Sequence, residues 1–291
     1  MGVGENFRIF CDNLIVPNQS DISYRYRRIT RRLNLDFWGV DSETSHSFYV
    51  GSYGRNTAIG ASDLDVLFQL PYSVYERFNG YAGNGQSALL QAIRTSIQNT
   101  YSVTSVGGDG QVVVVPFTDG VKFEILPAFI NKDDSYTYPD SNGGGTWKKT
   151  DPKPEIQAIK ARDALYGGNL RRLCRMMRAW KHEWQVPIKS LLIDTLAYRF
   201  IETWEHREKS YVYYDWMVRD FFLYLSNQND TQTYWSAPGS GDPVWSIGSF
   251  QYKAKRCYNI SLEAIKYDSD NMSYTARGKW REIFGSKYSS P

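Results

Sequence analysis

His46-Ser-Phe-Tyr-Val-Gly-Ser-Tyr-Gly-Arg-Asn-Thr-Ala-Ile-Gly-Ala-Ser-Asp-Leu-Asp-Val-Leu-Phe-Gln-Leu-Pro71 is the stretch around which the 291-residue chain is organised. An apolar run, Phe48-Tyr49-Val50, breaks at Gly51-Ser52, and a short connection leads into Asp63-Leu64-Asp65-Val66-Leu67-Phe68. Alternate side chains of a strand share a face, so Asp63 and Asp65 project together while Leu64 and Val66 face the opposite way. Two carboxylates on one face repel each other unless a positive charge lies between them. A hard divalent cation supplies that charge, and Mg²⁺ is commonly held by one or two carboxylates together with substrate phosphates.

Gly51-Ser52 suits the phosphate half of such a site. Glycine after a strand lets the backbone approach a ligand closely, and serine adds a hydroxyl and a backbone N–H. The segment Gly54 to Ile59 is expected to begin a helix whose N-terminus faces the same anion. A Gly-Ser or an Asp-x-Asp alone is weak evidence, since the latter is commonly a solvated strand edge. Together, ten residues apart on two adjacent strands, they point to nucleotidyl transfer.

Gly51-Ser52, ten residues and then Asp63-Leu64-Asp65 resembles the signature of the polymerase-beta-type nucleotidyltransferase superfamily. The fuller run through Arg55, Thr57 and Asp63 is similar to the cyclic GMP-AMP synthase/DncV-like nucleotidyltransferases (CD-NTases) of bacterial anti-phage systems. Many relatives carry Arg-Gly-Thr where this chain has Arg55-Asn56-Thr57. The resemblance places Arg55 and Thr57 with Gly51 and Ser52 among the nucleotide-binding residues.

A second acidic signal follows. Residues 111–117 and 121–129 flank Thr118-Asp119-Gly120 and read as a β-hairpin. Glu124 lies inside the apolar run Phe123-Glu-Ile-Leu-Pro-Ala-Phe129, where a carboxylate needs a partner or a cation. The family resemblance makes it the third member of a catalytic and metal-binding triad with Asp63 and Asp65, as Glu in place of the commoner Asp. The implied cofactor is a pair of Mg²⁺ ions, with Mn²⁺ as a substitute.

Elsewhere the periodicity is mostly helical. Helices are expected over 5–16, 20–38, 86–101, 155–166, 170–184, 190–207, 212–226, 249–267 and 273–284, and a strand at Val103–Val106. The arginines of 25–32 read as a solvated helix face in preference to a contact for ligand phosphates or a partner. Residues 71–85, 131–154 and 229–243 read as irregular or loop. Trp147, in the second of these, reads either as packed or as a surface for a base. In the 170–184 helix, Leu170, Leu173, Cys174, Met177 and Trp180 form the buried stripe, with Arg171, Arg172, Arg175 and Arg178 away from its middle. Lys181 is at the stripe's edge, and by resemblance Lys181 and Ser190 bind the donor triphosphate.

Composition bounds the rest. A hydrophobic content of 42% and an aromatic content of 15% are ample for a core. Net charge of +3 is low for a dedicated nucleic-acid binder. Cys11, Cys174 and Cys257 are scattered and odd in number, which argues for a reducing compartment. No apolar stretch has the length of a membrane span, and residues 1–7 lack a signal peptide's apolar core. A cytoplasmic protein without membrane association is expected. With His46, His182 and His206 the only histidines, there is no zinc-site spacing. The zinc-dependent DNA binding of animal cyclic GMP-AMP synthase is therefore not expected.

The expected fold is α/β: a mixed-sheet nucleotidyltransferase core with a helical second lobe. Residues 1–150, with the N-terminal helices, form the catalytic lobe, and 151–291 the lobe closing the nucleotide cleft. The resemblance implies a synthase that joins NTPs, releases pyrophosphate and makes a cyclic di- or trinucleotide signal for a separate effector protein. The alternatives are a template-independent tailing enzyme for tRNA or poly(A), and a catalytically silent nucleotide-binding module.

Overall fold

The computed structural model describes residues 2–60, 63–102 and 107–288. The strand expected at Val103–Val106 lies outside the described residues, as do Ala61 and Ser62 of the motif. The chain divides into two compact units: Val16–Gly54 with Gly60–Lys153, and Met1–Ile15 with Arg55–Ile59 and Pro154–Pro291.

The first helix, α1 (Val3–Asn13), belongs to the second unit, whereas the two-lobe division expected from sequence put it in the first. Its apolar face decides this. Phe7 and Phe10 are fully buried, with rings against Trp280, Phe284 and Tyr288. Sequence periodicity shows that a helix has an apolar face but not which unit buries it.

The unit containing the motif is built on a mixed sheet. Along the chain come α2 (Gln19–Phe37), β1 (Ser47–Tyr49), α3 (Gly51–Gly54), β2 (Asp63–Gln69), α4 (Tyr72–Asn79) and α5 (Gly85–Gln98). They are followed by β3 (Gly107–Asp109), β4 (Val112–Pro116), β5 (Lys122–Ile130), β6 (Tyr136–Asp140) and β7 (Thr146–Thr150). The strand order is β1-β2-β5-β4-β3, with β6 joining β5 and β7 joining β6. Strands β2 and β5 run parallel, and the remaining pairs are antiparallel. Leu64, Val66, Phe123 and Ile125 point into the core from the two parallel strands. The alternation read from sequence therefore decides which side of the sheet is left for the acids.

Helix α2 buries Ile22, Ile29 and Leu33. On its other face Arg25 pairs with Asp119, Arg31 with Asp41 and Arg32 with Asp36, so these arginines serve their own unit. Two stretches expected to be irregular are ordered elements. Helix α4 begins after Pro71, whose φ of −67° suits a helix start, and is anchored by the buried Phe78. A single anchor in eight residues is too little periodicity to read. Likewise β6 and β7 form a hairpin around the glycines 143–145, with Tyr136 buried beneath it.

The second unit is helical: α1, α6 (Lys153–Leu165), α7 (Asn169–Glu183), α8 (Ser190–Thr203), α9 (Tyr214–Ser226), α10 (Gln251–Ser269) and α11 (Ser273–Phe284). All five stripe residues of α7 are fully buried, each contributing about 1.5–3 kcal/mol for a large side chain. Between α9 and α10 the expected loop contains a short hairpin, β8 (Tyr234–Ser236) and β9 (Pro243–Trp245). Trp235 and Val244 point inward from it. Cys11, Cys174 and Cys257 are free and buried. Burial pushes the Cys11 and Cys257 thiols up to about 12, so neither is a nucleophile at neutral pH. Among the described residues no helix is long and apolar enough to cross a membrane.

Candidate active site

The acids meet at the junction of β2 and β5. In the parallel register Asp65 lies beside Glu124 and Asp63 beside Lys122. Their neighbours Leu64, Val66, Phe123 and Ile125 are all buried. Strand alternation therefore puts Asp63, Asp65, Lys122 and Glu124 together on the opposite face. The three acids expected from sequence are thus brought to one face by two strands 59 positions apart at their first residues, Lys122 and Asp63.

Gly51 is fitted to this face. The backbone N–H of Val50 donates to the Asp65 carbonyl at 2.9 Å, locking the end of β1 to β2. Gly51 then turns at φ +58°, a left-handed conformation favouring glycine. A Cβ there would collide with the Asp65 carboxylate. The chain closes a single helical turn, α3, through Gly54 N–H donating to Val50 C=O. This turn starts at Gly51, earlier than the helix expected from Gly54 to Ile59. Ser52 sits half-buried in it.

The sequence reading missed Lys122. Its ammonium nitrogen is 2.9 Å from an Asp63 oxygen and 3.0 Å from a Glu124 oxygen. Hydrogen bonds to those two acids raise its pKa. Its signal lay in the sequence: a lysine two residues before Glu124 on a strand must share its face.

Hard oxygen donors around a cationic centre suit a divalent metal. Among the described residues, however, no three His, Cys, Asp or Glu side chains are gathered closely enough to cage an ion by themselves. Mg²⁺ is usually held by one or two carboxylates together with substrate phosphates. On donor chemistry and on the ammonium standing between two carboxylates, the residues fit the group.

Arg55 and Thr57 sit differently from the expectation that they bind nucleotide. They are 5% and 0% exposed and belong to the helical unit. Arg55 Nε donates to Asp194 at 2.9 Å, and Thr57 Oγ1 donates to the same oxygen at 2.9 Å. Arg178, itself 4% exposed, donates to both Asp194 oxygens at 2.9 and 2.7 Å. Arg171 and Arg175 bond the carbonyls of Arg55 and Asn56. Both side chains are therefore spent on holding the loop to α7 and α8. The signal was an acid inside the apolar run Leu192-Ile-Asp-Thr-Leu196, and Arg171, Arg175 and Arg178 spaced on one helix face.

Lys181 and Ser190 are brought together in the helical unit, with the lysine nitrogen 3.3 Å from the serine hydroxyl. Burial, and then the nearby Arg178, lower the Lys181 pKa. Trp147 is a packed residue. Its ring lies against Tyr75 and Phe129, at 5.0 and 5.7 Å between centroids, and its N–H donates to Asn79.

The model of the Second Messenger Oligonucleotide or Dinucleotide Synthetase domain matches residues 1–163. A probable cyclic nucleotide synthase of Bacillus cereus (strain VD146) is 27% identical over 183 residues. That match takes in 58% of this chain and 52% of the relative, so the chain spans about half the length of that relative. Among solved structures, CdnG from Bradyrhizobium diazoefficiens in complex with GTP is similar at a TM-score of 0.69 and 11% identity, covering 98% of this chain and 96% of that one. A complex of E. coli MS115-1 CdnC with HORMA-deltaN is similar at 0.68 and 15% identity, covering 98% of both chains. The apo form of DncV from Vibrio cholerae is similar at 0.64 and 17% identity, covering 84% of this chain and 69% of that one. At such identities these structures establish the fold. With its family model matched over 163 of 291 residues, the chain belongs to the Second Messenger Oligonucleotide or Dinucleotide Synthetase domain family.

Proposed function

We propose that the chain is a cyclic oligonucleotide synthase, joining NTPs with release of pyrophosphate to make a cyclic di- or trinucleotide. The observation that carries this reading is the acidic face of β2 and β5, with Gly51 turned against the Asp65 carboxylate. Asp63, Asp65 and Glu124 would hold two divalent ions, Mg²⁺ or Mn²⁺, which supply Lewis-acid activation of an acceptor hydroxyl and charge neutralisation at the phosphates. Gly51, carrying no side chain, lets the Asp65 carboxylate pack against the turn, and Ser52 offers a phosphate a backbone N–H and a hydroxyl. Lys181 and Ser190, already paired, hold the triphosphate of the donor nucleotide. Arg55 and Thr57 contribute by fixing residues 55–59 to Asp194. A first transfer makes a linear intermediate, and a second, after that intermediate turns round in the pocket, closes the ring.

The substrates are NTPs, a class supported by the GTP complex of CdnG. The product acts as a second messenger, a role supported by the family's description, on a separate effector protein in anti-phage defence. The sheet unit is the catalytic lobe, and the helical unit, which includes α1, supplies Lys181 and Ser190, in the cytoplasm.

The test is incubation with each labelled NTP, singly and mixed, with Mg²⁺ or Mn²⁺, beside the Asp63→Ala/Asp65→Ala variant. A phosphatase-resistant product with the mass of a cyclic oligonucleotide, absent from the variant, is expected. A phosphatase-sensitive linear ladder would instead identify a tailing enzyme. Absence of pyrophosphate release with every NTP mixture would overturn the synthase reading.

A further inference from the structure

The acidic face carries a cation of its own. The Lys122 ammonium bridges Asp63 and Glu124 at 2.9 and 3.0 Å, making with its own N–H groups the contacts that a bound ion would make with the same oxygens. The residue beside Lys122 on β4 is Pro116 and the one beside Glu124 is Val114, neither of which carries a charged side chain. Its side chain is 39% exposed. The flexible four-carbon stem lets a lysine swing into water at little cost.

We propose that Lys122 is the resident counter-ion of the acidic face, pinning Asp63 and Glu124 in the metal-free protein and giving way to the divalent cation. This rests on the reading of the three acids as metal ligands. An ammonium and a divalent cation cannot share the same carboxylate oxygens, because they repel at the separations involved. Metal therefore enters by exchange, and Lys122 sets how tightly the face takes it. The lysine keeps the acids parallel and close before metal arrives, at the expense of affinity once it does.

Mn²⁺ binding to the full chain without nucleotide, followed through the electron paramagnetic resonance signal of free Mn²⁺, tests the exchange. Lys122→Met should tighten the Mn²⁺ Kd roughly three- to thirtyfold, the range that losing two exposed ion pairs implies. Lys122→Arg, which keeps the bridging charge, should stay near wild type. The same Lys122→Met variant should show a larger rise in melting temperature on adding Mg²⁺ than wild type. An unchanged or weaker Kd in Lys122→Met, with Asp63→Asn and Glu124→Gln both losing Mn²⁺, would overturn the role of Lys122 and leave the metal site standing. Unchanged Mn²⁺ binding in Asp63→Asn and Glu124→Gln would overturn the metal site itself.

Discussion

Asp194 is the residue on which the helical unit's stability should depend most sharply. It is fully buried on α8, between Arg55 and Arg178, which are 5% and 4% exposed. Asp194→Ala would leave two buried guanidinium groups with Glu155, 3.7 Å from Arg55, as their one opposite charge among the described residues. Breaking a buried ion pair by removing one partner costs about 3–5 kcal/mol, a large part of the roughly 5–15 kcal/mol that holds a domain folded. For a unit of this size that is a fall of roughly 6–20 °C in Tm. Asp194→Asn, which keeps the shape but not the charge, should lose most of the same amount. Urea titration followed by circular dichroism measures both. The pH dependence supplies a second reading. Burial pushes the Asp194 carboxyl up, but Arg178 and Arg55 more than offset this and hold it below the usual carboxylate value. A depressed folded pKa gives stability that is complete above the unfolded value of about 3.9 and is lost as pH falls towards the folded one. Wild type should therefore lose stability below about pH 4 by a component that Asp194→Asn lacks. If Asp194→Asn is within about 1 kcal/mol of wild type at pH 7, the network is weaker than its geometry implies.

Other perturbations follow from single features. Gly51→Ala must place a Cβ against the Asp65 carboxylate at a left-handed φ. It should lower pyrophosphate release on the order of a hundredfold by displacing Asp65, with a folding loss of only about 1–2 kcal/mol by urea titration. Trp147→Phe keeps the ring packing but loses the bond to Asn79. It should cost about 1 kcal/mol of stability and leave KM for NTPs unchanged, whereas a base-stacking tryptophan would raise KM. Asp215 is buried with one oxygen lacking a hydrogen-bond partner, and burial pushes its carboxyl up to about 6. A raised folded pKa means that the fold disfavours the charged form, so this component falls as pH rises from about 4 to 6. Asp215→Asn should remove that slope and gain about 1–3 kcal/mol at pH 7, read from thermal melts across pH.

The core of the site was legible because strand chemistry is local. Asp63 and Asp65 share a face by the two-residue period, and Glu124 stands out as an acid in an apolar run. The parallel pairing of β2 with β5 was not legible, since register across a separation of that length depends on which apolar faces meet in the core. Lys122 entered the site by that route. Arg178 was expected off the buried stripe and is instead buried, because Asp194 on the neighbouring helix supplies its charge.

By itself, then, the sequence determined the acidic pair, the glycine turn before it, the third acid and most of the helices, all of which follow from spacing within a few residues. The tertiary structure alone decided three further things. It put α1 with the helical unit, gave Arg55 and Thr57 to Asp194 rather than to a ligand, and set a lysine between two of the acids. Each is a choice among partners far apart in the chain. Such choices are made by burial and charge pairing in the folded state; spacing along the sequence shows which charged groups stand out but not which of them pair.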